Sequence, residues 1–191
     1  MNTSLIYKSC CFIGHRKIIE TNELKQRLQN TIEILIKEKG VKTFIFGSRS
    51  EFDFLCHQIV SNLMGIYPTI KRVVYTCKSE LAVLKQDKAE LEQIFSKAFK
   101  QDITLCEYEK EIEHKTKFTS GKASYIERNK AMIDASDFCI FYYDEDYKPQ
   151  KRKYKKSDVF EYQPSSGTKL AHDYAKQKKK ILINVKSFSK K

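Results

Sequence analysis

Three short stretches of the chain carry residue types suited to gripping a phosphate. Gly14-His15-Arg16, Gly47-Ser48-Arg49-Ser50 and Pro164-Ser165-Ser166-Gly167-Thr168 each place glycine beside hydroxyl or cationic side chains. Glycine lets an anion come close to the backbone, and the first N–H groups of a helix are unpaired and partly positive. Ser166 and Thr168 add hydroxyl donors, while Arg16 and Arg49 offer charge-assisted hydrogen bonds. His15 is either a ligand contact or a cap on the first strand. Each stretch alone is also what an ordinary turn or N-cap looks like. Their meaning depends on whether the fold brings them to one place.

The elements around them alternate. Cys10 to Ile13, Thr43 to Phe46, Arg72 to Thr76, Ile103 to Cys106, Phe138 to Tyr143 and Ile181 to Val185 are short apolar runs, the mark of strands buried on both faces. Between them, Leu24, Leu28, Ile32, Leu35 and Ile36 recur at helical spacing, with Thr21 or Asn22 as N-cap and Gly40 as the stop. Leu55, Ile59 and Leu63 mark a second helix ending near Gly65. Leu91 to Phe99 mark a third, Lys122 to Ala135 a fourth, and Leu170, Tyr174 and Ala175 a last one. Glu107 to Lys117 reads as a loop or ragged helix. This rhythm predicts an α/β fold: a single Rossmann-like domain over residues 1–191, its mainly parallel sheet covered by helices on both faces. Residues 148–163 read as a basic loop or flap, and 186–191 as a frayed tail. Ligands of such sheets bind beyond the carboxyl ends of the strands, where all three glycine stretches fall.

Composition narrows the class. With 41% hydrophobic residues, 12 Phe and 11 Tyr, the chain can bury a sizeable core. No apolar run approaches the roughly 18–20 residues that span a bilayer, and Met1 to Lys8 does not read as a secretory signal, so a cytoplasmic protein without membrane contact is expected. The six cysteines form no CxxC pair, which speaks for reduced, buried thiols and against a metal site. The net charge of +12 favours phosphate-bearing partners, and a nucleic acid is among them. Much of the excess is local, in Lys148 to Lys156 and Lys176 to Lys180.

Four segments in order resemble one superfamily. Gly47-x5-Asp53-x3-His57 is similar to the G-x-A-x-G-[IV]-D-x-x-A-H segment of the Smf/DprA proteins. Glu127-Arg128-Asn129-Lys130, followed by Ile133 and Ser136, resembles their R-N-R-x-I-x-x-x-S stretch. Ser166-Gly167-Thr168 resembles their S-G-[ST] helix start. With the opening Gly14-His15-Arg16, the order resembles the SLOG (Smf/DprA–LOG) superfamily, and within it the small YpsA-like proteins. The resemblance covers about residues 10–185.

It implies a Rossmann-like fold that binds nucleotides, nucleotide sugars or NAD-related ligands, with no further cofactor required. Gly14, Arg16, Gly47, Ser48, Asp53, Arg128, Asn129, Ser166, Gly167 and Thr168 become pocket candidates by that analogy. Asp53 either accepts ribose hydroxyls or holds the turn into the second helix. His57, one helical turn later, is expected to support Asp53 and not to touch ligand. One departure bears on activity. LOG-type enzymes carry a glutamate three residues beyond the threonine of P-G-G-x-G-T-x-x-E, and this chain has Ala171 there. Glycosidic cleavage needs a carboxylate beside the anomeric carbon, and only Glu51, Asp53 or Glu127 offer substitutes. The sequence therefore predicts a sensor or sequestering protein first. An N-glycosidase acting on a nucleotide-derived substrate is the alternative, and a DprA-like single-strand binder using the basic loop with Tyr147 and Tyr154 is a second one. A homo-oligomer is compatible with all of them.

Overall fold

The computed structural model describes residues 8–47, 50–75, 93, 96–97, 104–106, 122–153 and 159–186. Six strands form one sheet: β1 (Lys8–Gly14), β2 (Val41–Phe46), β3 (Lys71–Tyr75), β4 (Thr104–Cys106), β5 (Phe138–Tyr142) and β6 (Ile181–Asn184). Their spatial order is β4-β3-β2-β1-β5-β6, and every pairing is parallel. The α/β, Rossmann-like arrangement expected from the sequence is therefore the one found. The chain runs outward from β1 through β4, then returns to lay β5 against the other side of β1. That reversal puts a topological switch point between β1 and β5, where the loops part and leave a crevice.

Period-two alternation splits each central strand between two cores. Cys10 and Phe12 of β1, Phe44 and Phe46 of β2, and Phe138 and Ile140 of β5 face one side. There they meet α1 (Asn22–Lys37) through Leu24, Leu28, Ile32 and Leu35, and α2 (Glu51–Met64) through Phe52, Leu55 and Val60. Phe12 and Phe46 stack with ring centroids 4.9 Å apart. Cys11, Ile13, Ile45, Cys139 and Phe141 face the other side, against Met132 and Ile133 of α3 (Lys122–Asp134) and Ala171 and Ala175 of α4 (Gly167–Gln177).

Local chemistry sets the helix starts. Thr21, Ser50 and Ser166 are extended residues whose hydroxyl oxygens accept the N–H three positions on, from Leu24, Asp53 and Lys169. After α1 the chain turns at Gly40, whose φ of 70° is a left-handed conformation that suits glycine. Lys186, expected to fray, instead pairs with Asp144 just beyond β5. The remaining tail, the segment 107–117 and most of the helix expected over 91–99 lie outside the described residues. Gln93, Ser96 and Lys97 within that last segment are helical. Cys10, Cys11, Cys56 and Cys139 are free, buried thiols. No helix among the described residues is long and apolar enough to cross a membrane.

Candidate functional site

At the switch point a cleft of about 490 Å³ opens between the end of β1, the middle of α3, the start of α4 and the segment after β5. That volume lies within the roughly 300–1,000 Å³ typical of small-molecule sites. Gly14, His15 and Arg16 form its floor at the end of β1, and Ser166, Gly167 and Thr168 bring the N-terminus of α4 to its wall. Arg128 and Asn129 line it from α3. They sit near the middle of that helix, which begins at Lys122, so they reach the cleft from its side and not from a helix end.

The two glycines that line the cleft have different reasons to be glycine. A Cβ on Gly14 would fall 2.4 Å from the buried ring of Phe52, so this glycine makes room for α2 to pack on β1. A Cβ on Gly167 would meet nothing within 4 Å. Its missing side chain leaves open space at the first turn of α4, where unpaired backbone N–H groups favour an anion.

Gly47 and Asp53 do not line the cleft; they build its support. Asp53 is buried, and its Oδ1 accepts the Gly47 N–H at 3.1 Å, which ties the end of β2 to the first turn of α2. The Arg128 guanidinium lies on Gly47: a Cβ there would be 3.1 Å from its Cζ. Arg128 is itself buried and passes 5.1 Å from the ring centroid of Tyr125, one turn earlier on α3. Gly47 and Tyr125 thus both lie close against the Arg128 side chain. Ser48 and Arg49 lie outside the described residues.

Glu51 also turns away. Its Oε2 accepts the Ile18 N–H at 3.1 Å, and its own N–H donates to the Arg16 carbonyl at 2.9 Å. The carboxylate therefore clamps the Gly14–Ile18 loop onto α2. Glu127 is half-buried on α3 and does not line the cleft.

His15 is a neutral ring in the floor. Its Nε2 accepts the Asp144 N–H at 3.1 Å, which leaves the ring proton on Nδ1. Burial holds its pKa below the usual histidine value, against an opposing pull from Asp144. The ring of Tyr147 covers it at 4.2 Å between centroids. Tyr147, Pro149 and Arg152 bring the basic flap to the cleft, and Tyr125, Ile126 and Ser50 also line it. Sequence reasoning allowed the basic loop to close over a bound phosphate but did not single out Pro149 or Arg152, and it did not place Tyr125 in the site. The only signal for Tyr125 was its i, i+3 spacing from Arg128, which puts the two on one helix face. The flap folds back on itself: Arg152 and Tyr162 exchange backbone hydrogen bonds of 2.9 and 2.7 Å, and the Gln163 side chain donates to the Pro149 carbonyl.

His57 serves the core. It packs on Phe46 at 4.9 Å, and Arg72 of β3 sets its Nη1 3.2 Å from the ring and 2.5 Å from Ser61 Oγ. Burial, with the Arg72 charge adding to it, lowers the His57 pKa to about 3. A folded pKa below the unfolded value of roughly 6.5 means that His57 supports the fold fully above pH 6.5 and loses that support as pH falls toward 3. The expected loss between pH 7 and pH 5 is about 2 kcal/mol. Urea unfolding of the protein and of His57→Gln at both pH values measures it, and the variant's stability should fall by markedly less.

Among the described residues, no aspartate or glutamate lines the cleft. Compared with known families, residues 7–177 match the family model YpsA, described as "YspA SLOG family". No curated protein matches the chain.

Proposed function

The chain belongs to the YspA SLOG family, and from that premise we propose that it binds a nucleotide or nucleotide-derived ligand of the NAD, ADP-ribose or nucleotide-sugar class in the switch-point cleft. Family membership points to a nucleotide-related function. One observation carries it: an open helix N-terminus at Gly167 shares a cleft with Arg16, Arg128 and Arg152 and with no carboxylate among the described residues. Such a lining favours phosphate. Tyr147 and Tyr125 add aromatic faces on which a base can stack.

The same lining favours a sensor or sequestering protein over a hydrolase. Glycosidic cleavage needs a carboxylate at the reacting carbon. Glu51 and Asp53 are spent on the Ile18 and Gly47 N–H groups, and Ala171 is buried against the sheet. We place the protein in the cytoplasm, a setting that suits its free thiols.

Isothermal titration of the purified chain with NAD, ADP-ribose and ADP tests the proposal, with product analysis of each mixture. Selective, salt-tolerant binding without turnover is expected. Arg128→Gln should weaken it by about 10–100-fold, the worth of one charged hydrogen bond. A single-strand nucleic-acid reading rests on the flap, where Phe160 is 86% exposed. Binding of a short oligonucleotide alone, steeply lost with salt, would favour that reading instead.

A further inference from the structure

The cleft is cationic in a particular way. Arg16 and Arg152 are exposed residues that line it, and their guanidinium groups make no ion pair or hydrogen bond with the described residues. Arg128 lines it from α3. The nearby Asp144 carboxylate is taken up by Lys186 and the Asp146 N–H.

Resting on the nucleotide reading of this cleft, we infer that the site takes the diphosphate of its ligand free of divalent cation, with guanidinium groups and the α4 N-terminus in the metal's place. Magnesium bound to a nucleotide is held by the phosphates together with one or two protein carboxylates, and it keeps several waters. This cleft offers it no carboxylate among the described residues and surrounds it with like charge. Arginine forks, in contrast, match two phosphate oxygens at once, and they need the oxygens that magnesium would occupy. A consequence for ligand class follows. A diphosphate esterified at both ends has no terminal phosphate and holds magnesium weakly, so it arrives without the metal. A nucleoside diphosphate or triphosphate arrives largely with it.

The test titrates the full chain with ADP and, separately, ADP-ribose, in EDTA and in saturating magnesium at ionic strength matched with NaCl, which removes simple screening as a cause. For ADP the apparent Kd should weaken roughly tenfold or more in magnesium, in proportion to the shrinking metal-free fraction, while ADP-ribose should shift by less than about twofold. An ADP affinity that is unchanged or tighter in magnesium overturns the inference and leaves the nucleotide reading standing. Failure of both probes in both buffers takes down the nucleotide reading itself and this inference with it. Arg152→Glu, an exposed change that adds a carboxylate to the lining, should weaken metal-free ADP and narrow the gap between the two buffers. A gap of unchanged size would also overturn the assignment.

Discussion

Replacing Gly14 by alanine should lower the unfolding free energy by about 2–3 kcal/mol, the upper part of the range for overpacking a core. The added Cβ would stand 2.4–2.7 Å from three carbons of Phe52, which is fully buried where the start of α2 packs on the sheet. No rotamer escape is open to a Cβ, and the ring is hemmed in by Tyr142, 5.7 Å away between centroids. Either α2 shifts on the sheet or the ring tilts, and both disturb close packing. Differential scanning calorimetry should show Tm falling by about 5–10 °C for a chain of this length. Trimming the ring should undo part of it. In the double variant Gly14→Ala with Phe52→Leu, the two costs should sum to less than their separate values by about 1 kcal/mol or more. A Gly14→Ala protein as stable as the parent would mean that this glycine answers to the ligand and not to Phe52.

Gly167→Asp should separate stability from binding. The position is the first residue of α4, with open space where the side chain would go. A carboxylate there faces the positive end of the helix, which is worth about 0.3–1 kcal/mol in the folded state. The fold should therefore hold or gain slightly, with Tm unchanged or raised. Ligand binding should move the other way. The new charge would occupy the space left for a phosphate and repel it, and an affinity loss of at least about 100-fold, roughly 2.7 kcal/mol, is expected. Gly167→Ala should fall between, since a methyl group fills space without charge. Calorimetric titration alongside thermal unfolding reads both effects on one sample. Undiminished nucleotide binding by a well-folded Gly167→Asp protein would remove the α4 N-terminus from the site.

Much of the fold was present in local pattern. Four-residue apolar runs such as Phe138 to Phe141 specify buried strands, and the 24-28-32-35 spacing specifies an amphipathic helix; both are fixed by neighbours in sequence. The caps at Thr21, Ser50 and Ser166 follow the same rule, because a hydroxyl reaches only its own helix's first turn. Parallel order followed from strands alternating with helices. The chain therefore announced an α/β sheet and the two cleft stretches, 14–16 and 166–168, from residues that act where they stand.

What tertiary structure decided was direction. Glu51 and Asp53 read as possible acids, yet their carboxylates turn onto the Ile18 and Gly47 N–H groups. Gly14 and Gly167 look alike in sequence, but one Cβ vector meets Phe52 and the other open space. His57, expected to support Asp53, lies against Arg72 and Ser61 of a buried polar cluster. Arg152 and Tyr125 entered the lining only because β5 returns beside β1 and carries the flap and α3 with it. Periodicity encodes which face of an element is buried, since that depends on residues three or four apart. Which partner waits at that face is set by packing between segments tens of residues apart, and no local pattern records it.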